Sequence, residues 1–279
     1  MLKRIITAVC AIILVIPVFI FSDTWLFPIV IAAVSAISVY EIAKCFNMHK
    51  NFVMIAPLYI YALAFPFLQR ILTNDYRLIG IAIMAIIFYV GYTFTWIIFS
   101  KGKPMYNDTC ALCLTAFYVL FALNMVIHVR DFDKGEYIYF LIVAGACVTD
   151  IFAYFTGVLI GKHKLAPDIS PKKTIEGSIG GIVFCVLGFL LVGFLIGQFG
   201  ENCHPNYIYL AISGFIISII SQAGDLIMSA IKRQQGIKDF GNILPGHGGM
   251  VDRLDSIFAA SLAVEGLIIF GLLTEITLF

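Results

Sequence analysis

Charge is what this sequence has least of. Asp, Glu, Lys and Arg make up 13% of its 279 residues, against 61% hydrophobic residues and a mean hydropathy of +0.99, whereas soluble domains carry roughly a quarter charged residues. The chain therefore reads as a polytopic, all-α integral membrane protein. A net charge of +1 provides no global basic field of the kind that attracts nucleic acid, so any acidic ligand has to be held by a local cluster. There is no G-x-x-x-x-G-K-[ST] phosphate loop and no G-x-S-x-G nucleophile elbow. A zinc-type Cys/His cluster is missing too. The seven cysteines fall almost all within apolar runs, where Cys packs as a small buried hydrophobe, and the C-x-x-C of Cys110 and Cys113 has neither a second pair nor a nearby His. Internal repeats, low-complexity tracts and long linkers are also absent, so residues 1–279 read as a single integral membrane domain.

What is present is apolar sequence in lengths that suit a bilayer, about 20 residues per helix. Nine spans are predicted: Ile5 to Phe21, Trp25 to Tyr40, Phe52 to Leu68, Leu78 to Phe99, Thr109 to Val129, Tyr137 to Ile160, Ser178 to Phe199, Tyr207 to Ile231 and Leu254 to Leu273. Lys3 and Arg4 before the first run imitate a signal peptide, but no small-residue cleavage site follows, so a retained helix is expected. Pro17, Pro28, Pro57 and Pro66 lie inside spans and predict kinks. Of the 18 Lys and Arg, 14 fall on the N-terminal side of this layout and 4 on the other, which places the N-terminus and the two most basic loops in the cytoplasm.

Spans one to five offer little chemistry. Glu41 reads as a solvated helix terminus, and Asn124 and His128, four residues apart, as hydrogen-bonding groups between helices. Span six changes character, because Asp150 sits about ten residues before the end of an apolar helix, where a carboxylate is costly unless paired or hydrated. Asp150, Tyr154, Gly157 and Gly161 share one face. Asp150 either pairs with a buried Lys or belongs to a polar pocket. The next loop, LAPDISPKKTIEGSIGG, carries Ser170, Lys172, Lys173 and Thr174 into a helix entrance. Such an entrance suits a phosphate, although two lysines on a cytoplasmic loop also serve simply to set topology.

In span eight Gln222, Asp225, Ser229 and Lys232 form one polar stripe. Asp225 lies roughly 27 Å along that helix from Tyr207, at headgroup depth. The chain then gathers Lys232, Arg233, Lys238, Asp239, His247, Gly248, Gly249, Asp252, Arg253 and Asp255 within the 27 residues Ser229 to Asp255. Carboxylates beside Lys and Arg on glycine-rich backbone are the equipment of phosphoryl or nucleotidyl transfer, the acids holding Mg²⁺ and the cations covering phosphate charge. At headgroup depth such a site can hold a lipid phosphate and a soluble nucleotide together. His247 is expected to position rather than to act as a base.

The run SAIKRQQGIKDFGNILPGHGGMVDRLD resembles the signature of the phosphatidate cytidylyltransferases, and DIFAYFTGVLIGKHKLAPDISPKKTIEG and QAGD resemble that family's other characteristic stretches. The likeness covers about Asp150 to Asp255. It implies condensation of CTP with phosphatidic acid to CDP-diacylglycerol and pyrophosphate, in a nine-span enzyme whose catalytic helices and loops occupy 136–279 after hydrophobic helices over 1–135. It implies a homodimer in the plasma (inner) membrane, with no nucleic-acid partner. It further implies that Asp225 and Asp252 hold Mg²⁺, with K⁺ as a second cation, and that Lys172, Lys173, Lys232, Arg233 and Lys238 contact phosphate. Asp255 would be a further metal-shell or orienting group. Other readings are a cytidylyltransferase for an ether lipid or a polyprenol kinase, which lipid acceptance discriminates. A secondary transporter would show paired broken helices in two repeated halves, whereas the polar residues here gather in the C-terminal half.

Overall fold

A computed structural model of the chain describes residues 16–73, 77–99, 106–132, 135–199, 204–243, 246 and 248–273. After helical residues 16–20 come α1 (Leu26–Cys45), α2 (Phe52–Ile71), α3 (Arg77–Phe99), α4 (Tyr106–Asp131), α5 (Gly135–Ile160), β1 (Lys164–Ala166), β2 (Ser170–Thr174), α6 (Ile175–Phe199), α7 (Tyr207–Gln234) and α8 (Val251–Ile269). Among the described residues seven helices, α1 to α7, are long and apolar enough to cross a membrane, and the protein is a multi-pass, all-α membrane protein. The first predicted span lies mostly outside the described residues. The ninth is helical, but α8 carries Asp252, Arg253, Asp255 and Glu265 and falls outside that apolar set.

Two compact units are present, one comprising the chain up to Asp131 together with Gln234–Arg253, the other Phe132–Arg233 together with Leu254 onward. In the first unit α1, α2 and α4 pack on one another, and α3 packs on α2 and α4. Phe65 of α2 meets Leu78 and Ala82 of α3, with Tyr61, Leu68 and Leu72 around them. Arg130 of α4 is buried; it donates to Ser22 Oγ at 2.8 Å and pairs with Asp23. Arg70 of α2 donates to the Ser22 carbonyl at 2.8 Å and pairs with Asp131 at 3.4 Å. Ends of two helices and the segment before α1 are thus tied by charge-assisted bonds.

Several local expectations change. Helix α1 runs to Cys45, five residues past the predicted end, because Asn47 adopts a left-handed φ of 57° and lets Asn47 N–H and Met48 N–H donate to the Lys44 and Ala43 carbonyls, a C-terminal cap that satisfies otherwise orphaned acceptors. Glu41 consequently lies inside the helix and not at its end. Pro28 sits in the first turn of α1, where its missing N–H costs nothing, while α2 continues through Pro57 and Pro66. Asn124 donates to the Leu120 carbonyl of its own helix at 2.7 Å instead of bridging helices. The described cysteines are free, with Cys45 and Cys185 buried as expected but Cys110 and Cys147 exposed on their helix surfaces.

In the second unit α5 and α6 are brought together by absent side chains. A Cβ on Gly177 would lie 2.6 Å from the Ala153 carbonyl oxygen, and one on Gly181 2.9 Å from the Thr149 carbonyl oxygen. Gly157 and Gly161 both border Thr174, so these glycines admit neighbouring protein. Close helix approach at small residues is a membrane packing device. Gly177→Ala is expected to destabilise the unit by about 1–3 kcal/mol, read as a lower thermal midpoint in detergent; an unchanged midpoint would show that the helices have room to separate. Thr149 Oγ1 donates to Ser218 Oγ at 3.0 Å and Gln222 to the Ser178 carbonyl at 3.3 Å, tying α7 to α5 and α6.

The lysine loop between α5 and α6 is an antiparallel β-hairpin, which its sequence did not suggest. Lys164 pairs with Thr174 and Ala166 with Ser170, with an irregularity between them. Pro167 follows Ala166 in a turn closed by Ile169 N–H on the Ala166 carbonyl at 3.2 Å, the position Pro favours. Pro171 has no N–H to give the ladder, consistent with the bulge. Glu176, in the first turn of α6, accepts from Lys162 N–H at 3.1 Å and His163 N–H at 3.2 Å and contacts His163 Nδ1 at 2.6 Å. That carboxylate fixes the base of the hairpin.

Candidate active site

Each unit holds a group of the polar residues that the sequence singled out. In the second unit the polar stripe of α7 faces protein: Gln222 is buried, Asp225 and Ser229 are half-buried, and Lys232 is only 7% exposed. Lys173 of β2 pairs with Asp225, and Ser229 Oγ donates to the same carboxylate at 3.4 Å. Arg233 Nε donates to the Ile169 carbonyl at 3.3 Å. The hairpin is therefore fastened to the end of α7 by its turn and by its second strand. Lys172, next to Lys173 in sequence, is exposed. Ser170 is half-buried, and Thr174 is buried with its hydroxyl accepting from Gly177 N–H at 3.1 Å.

Asp255 of α8, 9% exposed, is within electrostatic reach of Asp225, Lys232 and Asp150. Asp150 accepts from Ser256 Oγ at 2.7 Å, so it takes part in a polar group built from α5, α7 and α8. Three carboxylates and two lysines thus meet in one cluster that runs from the exposed Asp150 to the buried Lys232 and Asp255, where charges interact strongly as the dielectric falls. Such an arrangement holds its acids ready for added positive charge.

In the first unit the polar group is a loop gripped by two acids. Asp252, 6% exposed, accepts at Oδ2 from Phe240 N–H at 2.8 Å and Gly249 N–H at 2.9 Å. Glu41, 1% exposed, accepts from Met250 N–H at 3.0 Å and Val251 N–H at 2.9 Å. Gly246 and Gly248 have φ of +79° and +89°, backbone that only glycine adopts without strain. A Cβ at Gly248 would lie 3.0 Å from Asp252 Oδ2 and 3.4 Å from Asp239 Oδ1. Its absence leaves room beside two carboxylates. Lys238, Asp239 and Arg253 are exposed and Gly249 is buried; His247 lies outside the described residues.

Sequence reasoning missed Glu41, Phe240 and Ser256. Phe240 and Ser256 act through a backbone N–H and a common hydroxyl, which carry no sequence signal. Glu41 did carry one, since Ile42, Ala43 and Cys45 continue the apolar run beyond it.

The donors fit a hard cation. Each unit by itself offers carboxylate oxygens of the kind a hard cation takes: Asp225 with Asp255 in the second, and Asp252 with Asp239 beside Gly248 in the first. Among the described residues no three Asp, Glu, His or Cys side chains form a closed cage, and Mg²⁺ is typically held by one or two carboxylates plus substrate phosphates.

Residues 2–270 match the Cytidylyltransferase family. The chain is 35% identical over 235 residues to a phosphatidate cytidylyltransferase of Bacillus subtilis, covering 82% of this chain and 84% of that protein. It is 32% identical over 176 residues to that of Thermotoga maritima, covering 62% and 64%, and 40% identical over 163 residues to that of Staphylococcus aureus, covering 58% and 60%. A partly buried acid-and-lysine cluster, a glycine loop gripped by carboxylates and a match over nearly the whole length agree: this chain belongs to the cytidylyltransferase family.

Proposed function

We propose that the protein condenses CTP with phosphatidic acid, giving CDP-diacylglycerol and pyrophosphate. The observation that carries this reading is the pairing of Lys173 with Asp225 beside the buried Lys232 and Asp255, in a chain otherwise poor in charge. The lipid phosphate is already ionised near neutral pH, its second pKa being about 6, so no general base is needed. A phosphate oxygen attacks the α-phosphorus of CTP, the bond from that phosphorus to the oxygen bridging the β-phosphate breaks, and pyrophosphate leaves with the electron pair. The work of the protein is to hold two anions in line and cover their repulsion. Lys173 supplies positive charge from a half-buried position and Lys232 from a buried one, while Lys172, Lys238, Arg233 and Arg253 are exposed, as contacts to a soluble nucleotide require. On the family resemblance, Asp225 and Asp252 are the acids that would hold the metal centre, assigned as Mg²⁺ with K⁺ as a second cation, which would neutralise charge on the phosphates and on the leaving pyrophosphate.

Ser170, Thr174 and Ser229 offer hydroxyls and Gly248 an amide for phosphate oxygens, Gly249 shapes the loop through its N–H on Asp252, Asp150, Asp239 and Asp255 orient neighbours, and His247 serves as a positioning donor. Support for placing this chemistry on the cytoplasmic face of the plasma membrane is the 14 to 4 distribution of Lys and Arg and the bacterial source of the relatives. The family resemblance supports a homodimer.

Purified protein given dispersed phosphatidic acid, labelled CTP and Mg²⁺ should release pyrophosphate and label the lipid. No labelled lipid, while a B. subtilis relative works in parallel, would overturn the reading. Competition with dCTP, UTP and ATP then reports how strictly the base is selected.

A further inference from the structure

Glu41 has no place in the reaction just described, yet it is the most completely buried carboxylate among the described residues of its unit. Its helix carries one other charged residue, Lys44 in the last turn, and a buried carboxylate is costly unless it is hydrogen-bonded. Both of its oxygens are used: Oε1 accepts from Met250 N–H at 3.0 Å and Oε2 from Val251 N–H at 2.9 Å. These are amides at the start of α8, where the helix leaves N–H groups without internal partners and favours negative charge. Glu41 also sets the shape of the loop. A Cβ on Gly241 or on Gly249 would collide with the Glu41 carboxylate, in the case of Gly249 with Cδ at 2.6 Å. Neither glycine has a left-handed φ, so contact with Glu41 accounts for the missing side chain at both. The adjacent Asp252 in turn accepts from Phe240 N–H and Gly249 N–H. Glu41 and Asp252 hold alternate points of one stretch of backbone, with Gly249 touched by both.

We propose that Glu41 is a positioning residue for the reaction: from the last turns of α1 it clamps Gly241, Gly249 and the Met250–Val251 amides, and so fixes where Asp252 points its carboxylate. At 1% exposed it cannot meet substrate or cation itself. The proposal rests on the reading that Asp252 serves the transfer.

The test uses full-length protein in detergent. Glu41→Gln keeps the size of the side chain but offers an NH₂ where Val251 or Met250 needs an acceptor. Turnover should fall about 10- to 100-fold, as for outer partners of functional groups, with the KM for phosphatidic acid unchanged. Amide hydrogen exchange in a peptide containing Gly249, Met250 and Val251 should speed up by about tenfold or more, while the thermal midpoint stays close to that of the parent. Gly249→Ala, which pushes the carboxylate away, should give the same pattern, and adding it to Glu41→Gln should cost little more. Glu41→Asp should recover part of the activity. Parental turnover or unchanged exchange in Glu41→Gln overturns the proposal, as does a general loss of stability in both variants with exchange raised throughout the first unit. Asp252→Asn separates the two claims: it should abolish turnover yet leave Met250 and Val251 protected. If the parent transfers no cytidylyl group, the functional reading fails while the exchange data still decide the clamp.

Discussion

Asp225→Asn and Asp252→Asn should each lower cytidylyl transfer by more than about 10³-fold while leaving membrane insertion and detergent stability intact. Charge stabilisation by a bound cation is worth several kcal/mol, and each 1.36 kcal/mol is about tenfold in rate. The amide keeps the shape and one acceptor oxygen, so Asp252→Asn can still receive Phe240 N–H and Gly249 N–H. In Asp225→Asn the partner Lys173 keeps a polar neighbour. The loss therefore isolates the negative charge. Direct titration with Mn²⁺, followed by its paramagnetic signal, should show weakened binding in both variants. Turnover within a few-fold of the parent in either one would remove that residue from cation binding.

Lys173→Ala should be the second most damaging change, and it should differ in kind from Lys172→Ala. Lys173 pairs with Asp225, whereas its neighbour in sequence is exposed. Removing Lys173 leaves a half-buried carboxylate without its cation and takes positive charge from the transition state, for which about 10²–10³-fold in kcat is the usual scale. Removing Lys172 should instead raise the KM for CTP several-fold with kcat nearly kept, as expected for an outlying phosphate contact. The measurement is steady-state kinetics with CTP varied at saturating phosphatidic acid. A larger kcat defect in Lys172→Ala than in Lys173→Ala would contradict the assignment of the two roles.

The helices were legible because a bilayer imposes length and apolarity on them, and the span-eight stripe was legible because helix geometry is regular: Gln222, Asp225, Ser229 and Lys232 share a face in sequence and face protein in the fold. The hairpin was not, since Ser170 to Thr174 is short and interrupted by Pro171, and strand pairing is a non-local property. Glu41 illustrates a different blind spot. Its meaning depended on where α1 ends, which was decided by a left-handed Asn47, and on partners more than 200 residues away. Hydropathy sees neither. The difference between Lys172 and Lys173 was likewise hidden, because adjacent lysines are equivalent in composition and are told apart only by a bulged strand.

The distance in sequence between Glu41 and its partners has a consequence for biosynthesis. Met250 is 209 residues downstream, and at roughly 5–20 residues per second the ribosome needs on the order of 10–40 s to deliver it. Until then the nascent α1 carries a carboxylate that lacks the amides completing it. Chains truncated before Met250 never acquire them, so they keep an acid whose burial is not offset by hydrogen bonds.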